Sequence, residues 1–202
     1  MARALPIGVQ DFKKIRDSDY LYVDKTDMIS QIMSEGADVY LYTRPRRFGK
    51  SLNLSMLDAF FNIKYPKDNG WFDGLKVSDC KECQEHKNAY PIIYFDFKDL
   101  DAKNLDVFIE KLSDKISSLY IQYRYLEKSD DVDEIFKIKF DTIVSGTSSE
   151  SKLTNSLSML SKMLYAHHGK KVIILLDEYD NPIHNAYGKE FHKDIIDRKS
   201  VV

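Results

Sequence analysis

Apolar residues recur at helical spacing after Ser51, at Leu52, Met56, Leu57, Phe60 and Phe61, and predict an amphipathic helix. A second stripe runs through Leu105, Phe108, Ile109, Leu112, Ile116, Leu119 and Tyr120. A third, Leu153, Leu157, Leu160 and Leu164, follows Ser and Thr residues suited to capping and runs into "HHGKK", where a glycine and basic residues close a helix. Three shorter runs are of another kind. "VYLYT" (residues 39–43), "PIIYFDF" (91–97) and "VIILL" (172–176) are β-branched, aromatic or wholly apolar, and read as strands. The last is unbroken in its hydrophobicity and predicts a strand covered on both faces. Strands alternating with helices define an α/β fold with a parallel sheet flanked by helices. "WFDGLKVSDCKECQEHKNAY" (71–90) is turn-rich and charged, and reads as a surface excursion.

Composition narrows the classes. A chain of 202 residues without repeats or a long linker suits one medium domain, or one domain plus extensions. Thirty basic against 32 acidic residues leave no bulk charge to attract nucleic acid or an acidic membrane. The longest apolar run has five residues, against the eighteen or so that a membrane-spanning helix needs. The first residues carry no signal-peptide core. Two cysteines make no disulfide framework, so a reducing cytoplasm is the default compartment. Cys80, Cys83 and His86 have spacing that suits zinc, but a structural site takes four ligands and no second C-x-x-C or H-x-x-x-H occurs. Two ordinary surface thiols are the expectation. His167 and His168 are adjacent, poor geometry for a shared metal.

Candidate chemistry sits at two strand ends. "YTRPRRFGKS" (42–51) closes like a phosphate-binding loop, G-x-x-x-x-G-K-[ST], but carries Arg44 where the pattern has its first glycine. In such a loop the backbone N–H groups and a helix N-terminus face the phosphates. Lys50 would neutralise the β and γ phosphates and the Ser51 hydroxyl would ligate magnesium. The alternative is a basic turn at a helix start. After "VIILL" come Asp177 and Glu178, the pattern in which an aspartate holds magnesium through water and a glutamate activates the attacking water. The alternative there is a solvated acidic loop. Their order, about 125 residues apart and each after an apolar strand, favours the paired reading.

The blocks "YVDKT" (22–26), "RPRRFGKSL" (44–52), "WFDGL" (71–75), "YPIIYFDF" (90–97) and "LLDEYDNPI" (175–183) together resemble the predicted AAA-ATPase-like family of bacteria and archaea. The resemblance covers nearly the whole chain. It implies a P-loop core over residues 39–202 behind a family-specific segment 1–38. The family itself carries arginine at position 44, so the loop is its variant form, with Arg44, Pro45, Arg46, Arg47, Phe48, Gly49, Lys50, Ser51 and Leu52 as the ATP-binding stretch. Ser51 and Asp177 are the expected magnesium ligands and Glu178 the expected base. Arg46 and Arg47 either add charge near the γ-phosphate or form a solvated basic corner. Asp24, Lys25, Tyr179 and Asp180 lie in matching blocks without an assigned role. Asp96, at a strand end, reads as a turn or capping residue rather than a site residue.

A complete chain of that family continues past "LDEYDNPI" with a further strand, and often with a nuclease-like domain of the PD-(D/E)xK kind. This sequence runs about twenty residues beyond its acidic motif. The resemblance therefore implies a truncated ATPase-like module with little or no turnover. Its sheet would have an open gap between residues 39–43 and 172–176, rather than direct pairing of those strands. The expected partners are a nucleotide and a protein partner or second copy, with no membrane. A non-catalytic interaction module is the runner-up. Nucleic-acid binding by the arginine cluster rests on one patch in a near-neutral chain.

Overall fold

The computed structural model describes residues 3–43, 45, 48–146, 153, 155–190 and 192. The chain forms two compact units, Met1–Ile92 and Ile93–Val202.

In the first unit, α1 (Phe12–Asp17) starts at Asp11, whose carboxylate accepts the Lys13 N–H at 2.9 Å. Helix α2 (Asp27–Glu35) and helix α3 (Lys50–Phe61) follow. A 3₁₀ turn (Lys76–Asp79) leads into the short α4 (Lys81–Glu85). The apolar spacing after Ser51 is realised in α3, whose last turns are buried on every side through Met56, Leu57, Ala59, Phe60 and Phe61. An aromatic cluster packs around it: Phe72 lies 4.9 Å from Phe12 and 5.1 Å from Phe60, ring centre to ring centre, and Tyr22 lies 5.2 Å from Phe12. The Phe12 N–H donates to Ser55 Oγ at 3.0 Å, fixing the start of α1 on α3. At the far end of α3 the Asn88 side chain donates to the carbonyls of Ala59 and Asn62, both at 3.0 Å, and supplies partners to a buried helix terminus.

Residues 71–90 are therefore no surface excursion. Phe72, Leu75, Val77 and Cys83 are buried. Arg16 also donates to the carbonyls of Trp71 (2.6 Å) and Asp73 (2.8 Å). The turn residues and charges that suggested solvent belong to a segment that nevertheless buries Phe72, Leu75, Val77 and Cys83.

Residues 39–43 form no strand, contrary to their composition. Val39 is 83% and Leu41 66% exposed. Tyr40 holds the segment to the end of α2, its hydroxyl donating to the Ile32 carbonyl at 2.9 Å and accepting the Ala37 N–H at 2.9 Å. β-propensity expresses itself only against a paired edge and a covering layer.

In the second unit, β1 (Ile92–Asp96, beginning at the boundary) pairs with β2 (Ile173–Asp177), and the two make a small parallel sheet within a mixed helix and strand fold. Parallel pairing requires a long crossover. Here it carries α5 (Leu105–Ile121), α6 (Glu134–Val144) and α7 (Ser156–His168). Helix α8 (Asn181–Ala186) follows β2. Asn104 and Asp133 cap α5 and α6 through side-chain bonds of 3.0 and 2.8 Å. Gly169 ends α7 at φ 62°, a left-handed position that suits glycine. The Ser and Thr residues ahead of Leu153, expected to cap that helix, lie outside the described residues. The core joins β1 to the inner faces of α5, α6 and α7, with Tyr120, Phe140, Leu160 and Leu164 fully buried.

The expected gap between residues 39–43 and 172–176 does not arise, because only the second is a strand and its described partner is β1. Nor is β2 covered on both faces. Leu175 and Asp177 are buried while Ile174 and Leu176 are 42% and 39% exposed. An outward face as apolar as the inner one hides the period-two alternation from the sequence.

Phe72→Ala should lower the stability of the chain by about 3–5 kcal/mol, the usual cost of emptying a buried aromatic site. Chemical denaturation checks this, and a loss below about 1 kcal/mol would remove Phe72 from the core.

Candidate functional site

Gly49 sits at φ 75° and ψ 23°, a left-handed conformation at the residue preceding α3. A side chain there would meet open space, so the backbone angle, and not crowding, is what calls for glycine. The Asn53 N–H donates to the Gly49 carbonyl at 2.9 Å, so the N–H groups of Lys50, Ser51 and Leu52 precede the first intrahelical bond. These are the groups that a helix N-terminus offers to an anion. Lys50, Ser51 and Leu52 are half-buried, while Pro45 and Phe48 are exposed. Arg44, Arg46 and Arg47 lie outside the described residues.

Asp177 ends β2 and is buried. Tyr94 donates its hydroxyl to Asp177 Oδ2 at 3.4 Å, and the Glu178 N–H donates to Oδ1 at 3.0 Å. The Asp177 carbonyl accepts the Phe97 N–H at 3.0 Å. Glu178 adopts φ 53°, an unusual conformation for a residue with a Cβ, and is half-buried. The chain reverses there, the Asn181 N–H donating to the Glu178 carbonyl at 2.9 Å, and α8 begins directly. Asp180 precedes α8, and its carboxylate lies 3.4 Å from His184 Nε2 one turn on. The block "LDEYDNPI" is thus strand, strained turn and helix. Gly49–Ser51 are assembled in the first unit and Asp177–Glu178 in the second.

The block "YVDKT" has a role that its composition does not reveal. Asp24 Oδ1 accepts from the Thr26 N–H (2.8 Å) and hydroxyl (2.7 Å), and Oδ2 accepts the Lys76 N–H (2.9 Å). Thr26 is fully buried and its Oγ1 accepts the Val77 N–H at 3.2 Å. Burial alone would raise the Asp24 pKa, but the bonds from Lys76 and Thr26 prevail and hold it below the usual carboxylate range. Tyr22 of the same block donates to Met56 Sδ at 3.3 Å, and burial pushes its hydroxyl up to about 12. Asp24 and Thr26 therefore clamp the 3₁₀ turn, and Tyr22 packs on α3.

Asp58, which the sequence did not single out, is buried on α3. It accepts from Asn62 Nδ2 (2.6 Å) and the Tyr65 hydroxyl (2.9 Å), with Lys13 and Lys64 each 3.9 Å away. A carboxylate in the middle of an apolar stripe was the available signal. Asp96 serves the turn after β1, accepting the Lys98 N–H at 2.7 Å. The zinc alternative has no support among the described residues, which hold no cluster of three or more His, Cys, Asp or Glu side chains arranged for a metal. Cys80 and Cys83 are joined in a disulfide, so they are not two thiols, and His86 Nδ1 engages the Tyr90 hydroxyl. His167 and His168 diverge to Ser129 (2.8 Å) and Tyr125 (2.9 Å). Among the described residues no helix is long and apolar enough to cross a membrane.

A mixed α/β protein with a GKS helix start and an acidic strand end is the class that these features define. The chain belongs to the predicted AAA-ATPase family, whose model, described as "Predicted AAA-ATPase", matches residues 6–199. It is also similar to an "Uncharacterized protein in vnfD 5'region" of Azotobacter chroococcum mcd 1, with 32% identity over 185 residues. That match covers 90% of this chain and 30% of the relative, so the chain spans under a third of that protein's length. No solved structure matches the chain.

Asp24→Ala should cost about 1–3 kcal/mol near neutral pH, from the loss of hydrogen bonds to a charged acceptor. The folded pKa is depressed, so the carboxylate's contribution is present above its unfolded value near 3.9 and is lost as pH falls through the folded one. Denaturation of wild type and variant across pH should show a constant gap above about pH 5 that closes in acid. A gap that widened in acid would contradict the clamp.

Proposed function

We propose that this chain is a nucleoside-triphosphate-binding module of the P-loop kind, taking ATP with magnesium. The observation that carries the reading is Gly49, left-handed at the start of a twelve-residue helix that opens on Lys50 and Ser51. A helix that starts this way carries three consecutive N–H groups ahead of its first intrahelical bond, together with the positive end of its dipole, and these are the donors that a phosphate takes.

Each residue has a role set by its chemistry. Lys50 would balance the charge of the β and γ phosphates, and the Ser51 hydroxyl would ligate magnesium. In the second unit Asp177, a buried carboxylate at the carboxyl end of a parallel strand, has the chemistry to hold a cation through its water shell. Glu178 would serve as the base toward water. Its left-handed backbone supports that assignment, since strained residues at strand ends gather at functional sites. Mg–ATP, when bound, would supply the polyphosphate charge for Lys50 and the amides at the start of α3. The family description, a predicted ATPase, agrees with the reading.

Isothermal calorimetry of the chain with magnesium and a slowly hydrolysed ATP analogue should give a saturable heat. Lys50→Ala should weaken the affinity by about tenfold to a hundredfold, the worth of one or two charge-assisted contacts. Equal affinities in the two proteins would take Lys50 out of the site, and no heat in either would remove the nucleotide reading.

A further inference from the structure

The segment 71–90 carries chemistry that nucleotide binding does not use. Cys80 and Cys83, three positions apart with Cα atoms 5.2 Å from each other, are disulfide-bonded at the start of α4. Their surroundings differ. Cys80 is half-buried, whereas Cys83 is 1% exposed and faces α2, where the Ser30 hydroxyl lies 3.5 Å from its sulfur. The disulfide has no S–H, so Ser30 is the donor of that contact. The Cys83 N–H donates to the Cys80 sulfur at 3.3 Å. Each sulfur thus has a donor of its own besides the bond to its partner.

As a staple the disulfide would do little. It closes a loop of sequence separation three, where the chain entropy removed is least. The same segment is also held without it. The Gln84 side chain donates to the Val77 carbonyl at 2.8 Å, and its N–H donates to the Cys80 carbonyl at 3.1 Å. Thr26 and Asp24 bind the N–H groups of Val77 and Lys76.

We infer that Cys80 and Cys83 are a reversible dithiol–disulfide pair that exchanges with low-molecular-mass thiols, Cys80 being the sulfur attacked and Cys83 the buried partner. In reduction, an external thiolate attacks Cys80 Sγ. A mixed disulfide forms there, the Cys80–Cys83 bond breaks, and the electron pair leaves on Cys83 Sγ, where the Ser30 hydroxyl meets the new charge before a solvent proton arrives. A second external thiolate attacks the external sulfur of the mixed disulfide and expels Cys80 as thiolate, toward the Cys83 N–H. Two external thiols become one external disulfide, and the protein gains two electrons and two protons. Oxidation is the reverse. The inference stands apart from the nucleotide reading.

The test uses the full chain equilibrated in glutathione buffers of varied oxidised-to-reduced ratio, then acid-quenched, alkylated and weighed intact. The expected result is a two-electron transition between no and two alkylated cysteines, with an unchanged far-ultraviolet circular dichroism spectrum. In oxidised glutathione, Cys83→Ala should collect a mixed disulfide on Cys80 more than about tenfold faster than Cys80→Ala collects one on Cys83, as expected for an accessible against a buried sulfur. Should either variant fail to fold, early-quenched reduced wild type answers instead, because tryptic cleavage after Lys81 separates the two cysteines. The mixed disulfide is then expected on the Cys80 peptide. Independent alkylation at every ratio, unfolding on reduction, or equal modification of both cysteines would each overturn the inference.

Discussion

The contact of Phe72 with Phe12 and Phe60 is the constraint on which the first unit depends. Helix α3 is buried on every side at its carboxyl end and half-buried from Lys50 to Ser55, so its position is fixed by whatever packs around Phe60 and Phe61. Helix α1 supplies Phe12 from one side and segment 71–90 supplies Phe72 from another. Arg16, bonded to the carbonyls of Trp71 and Asp73, then joins those two suppliers to each other. Asp24 and Thr26 hold the next stretch, the 3₁₀ turn. The loop end at Gly49–Ser51 is thus carried by a helix whose other end is anchored in an aromatic core. That is how a site can be placed accurately by elements distant in sequence.

Helices whose apolar spacing extends over several turns were legible from the residues alone. Helices α3, α5 and α7 lie where the stripes lie, since a long amphipathic stripe has one economical way to hide itself. Strands β1 and β2 were legible as apolar runs between turn signals. The errors came from short segments, whose state is decided by neighbours that no local pattern names. Residues 39–43 have strand composition and no described strand beside them. Residues 71–90 have loop composition, and yet Phe72 and Val77 complete the core. Ile174 and Leu176 are as apolar as Leu175 but face outward.

For the candidate site, the part written in consecutive residues was readable and the part built by tertiary contact was not. Gly49 before Lys50 and Ser51 predicts a left-handed turn into a helix, and Asp177 with Glu178 predicts an acidic strand end. Nothing in "YVDKT" announces that its aspartate and threonine bind the backbone of a turn some fifty positions later. Nor does "CKEC" announce whether its sulfurs bond to each other or to a metal. These depend on what the fold brings alongside.

The proposed nucleotide site stands or falls with the amides at the start of α3. The most direct test is the backbone amide chemical shifts of Gly49, Lys50, Ser51 and Leu52 in isotope-labelled chain, titrated with magnesium and a slowly hydrolysed ATP analogue. Phosphate binding there would give large, saturable downfield shifts at these four amides, as hydrogen bonding to an anionic oxygen produces. Shifts confined to other segments, with these four amides unmoved at saturation, would contradict it.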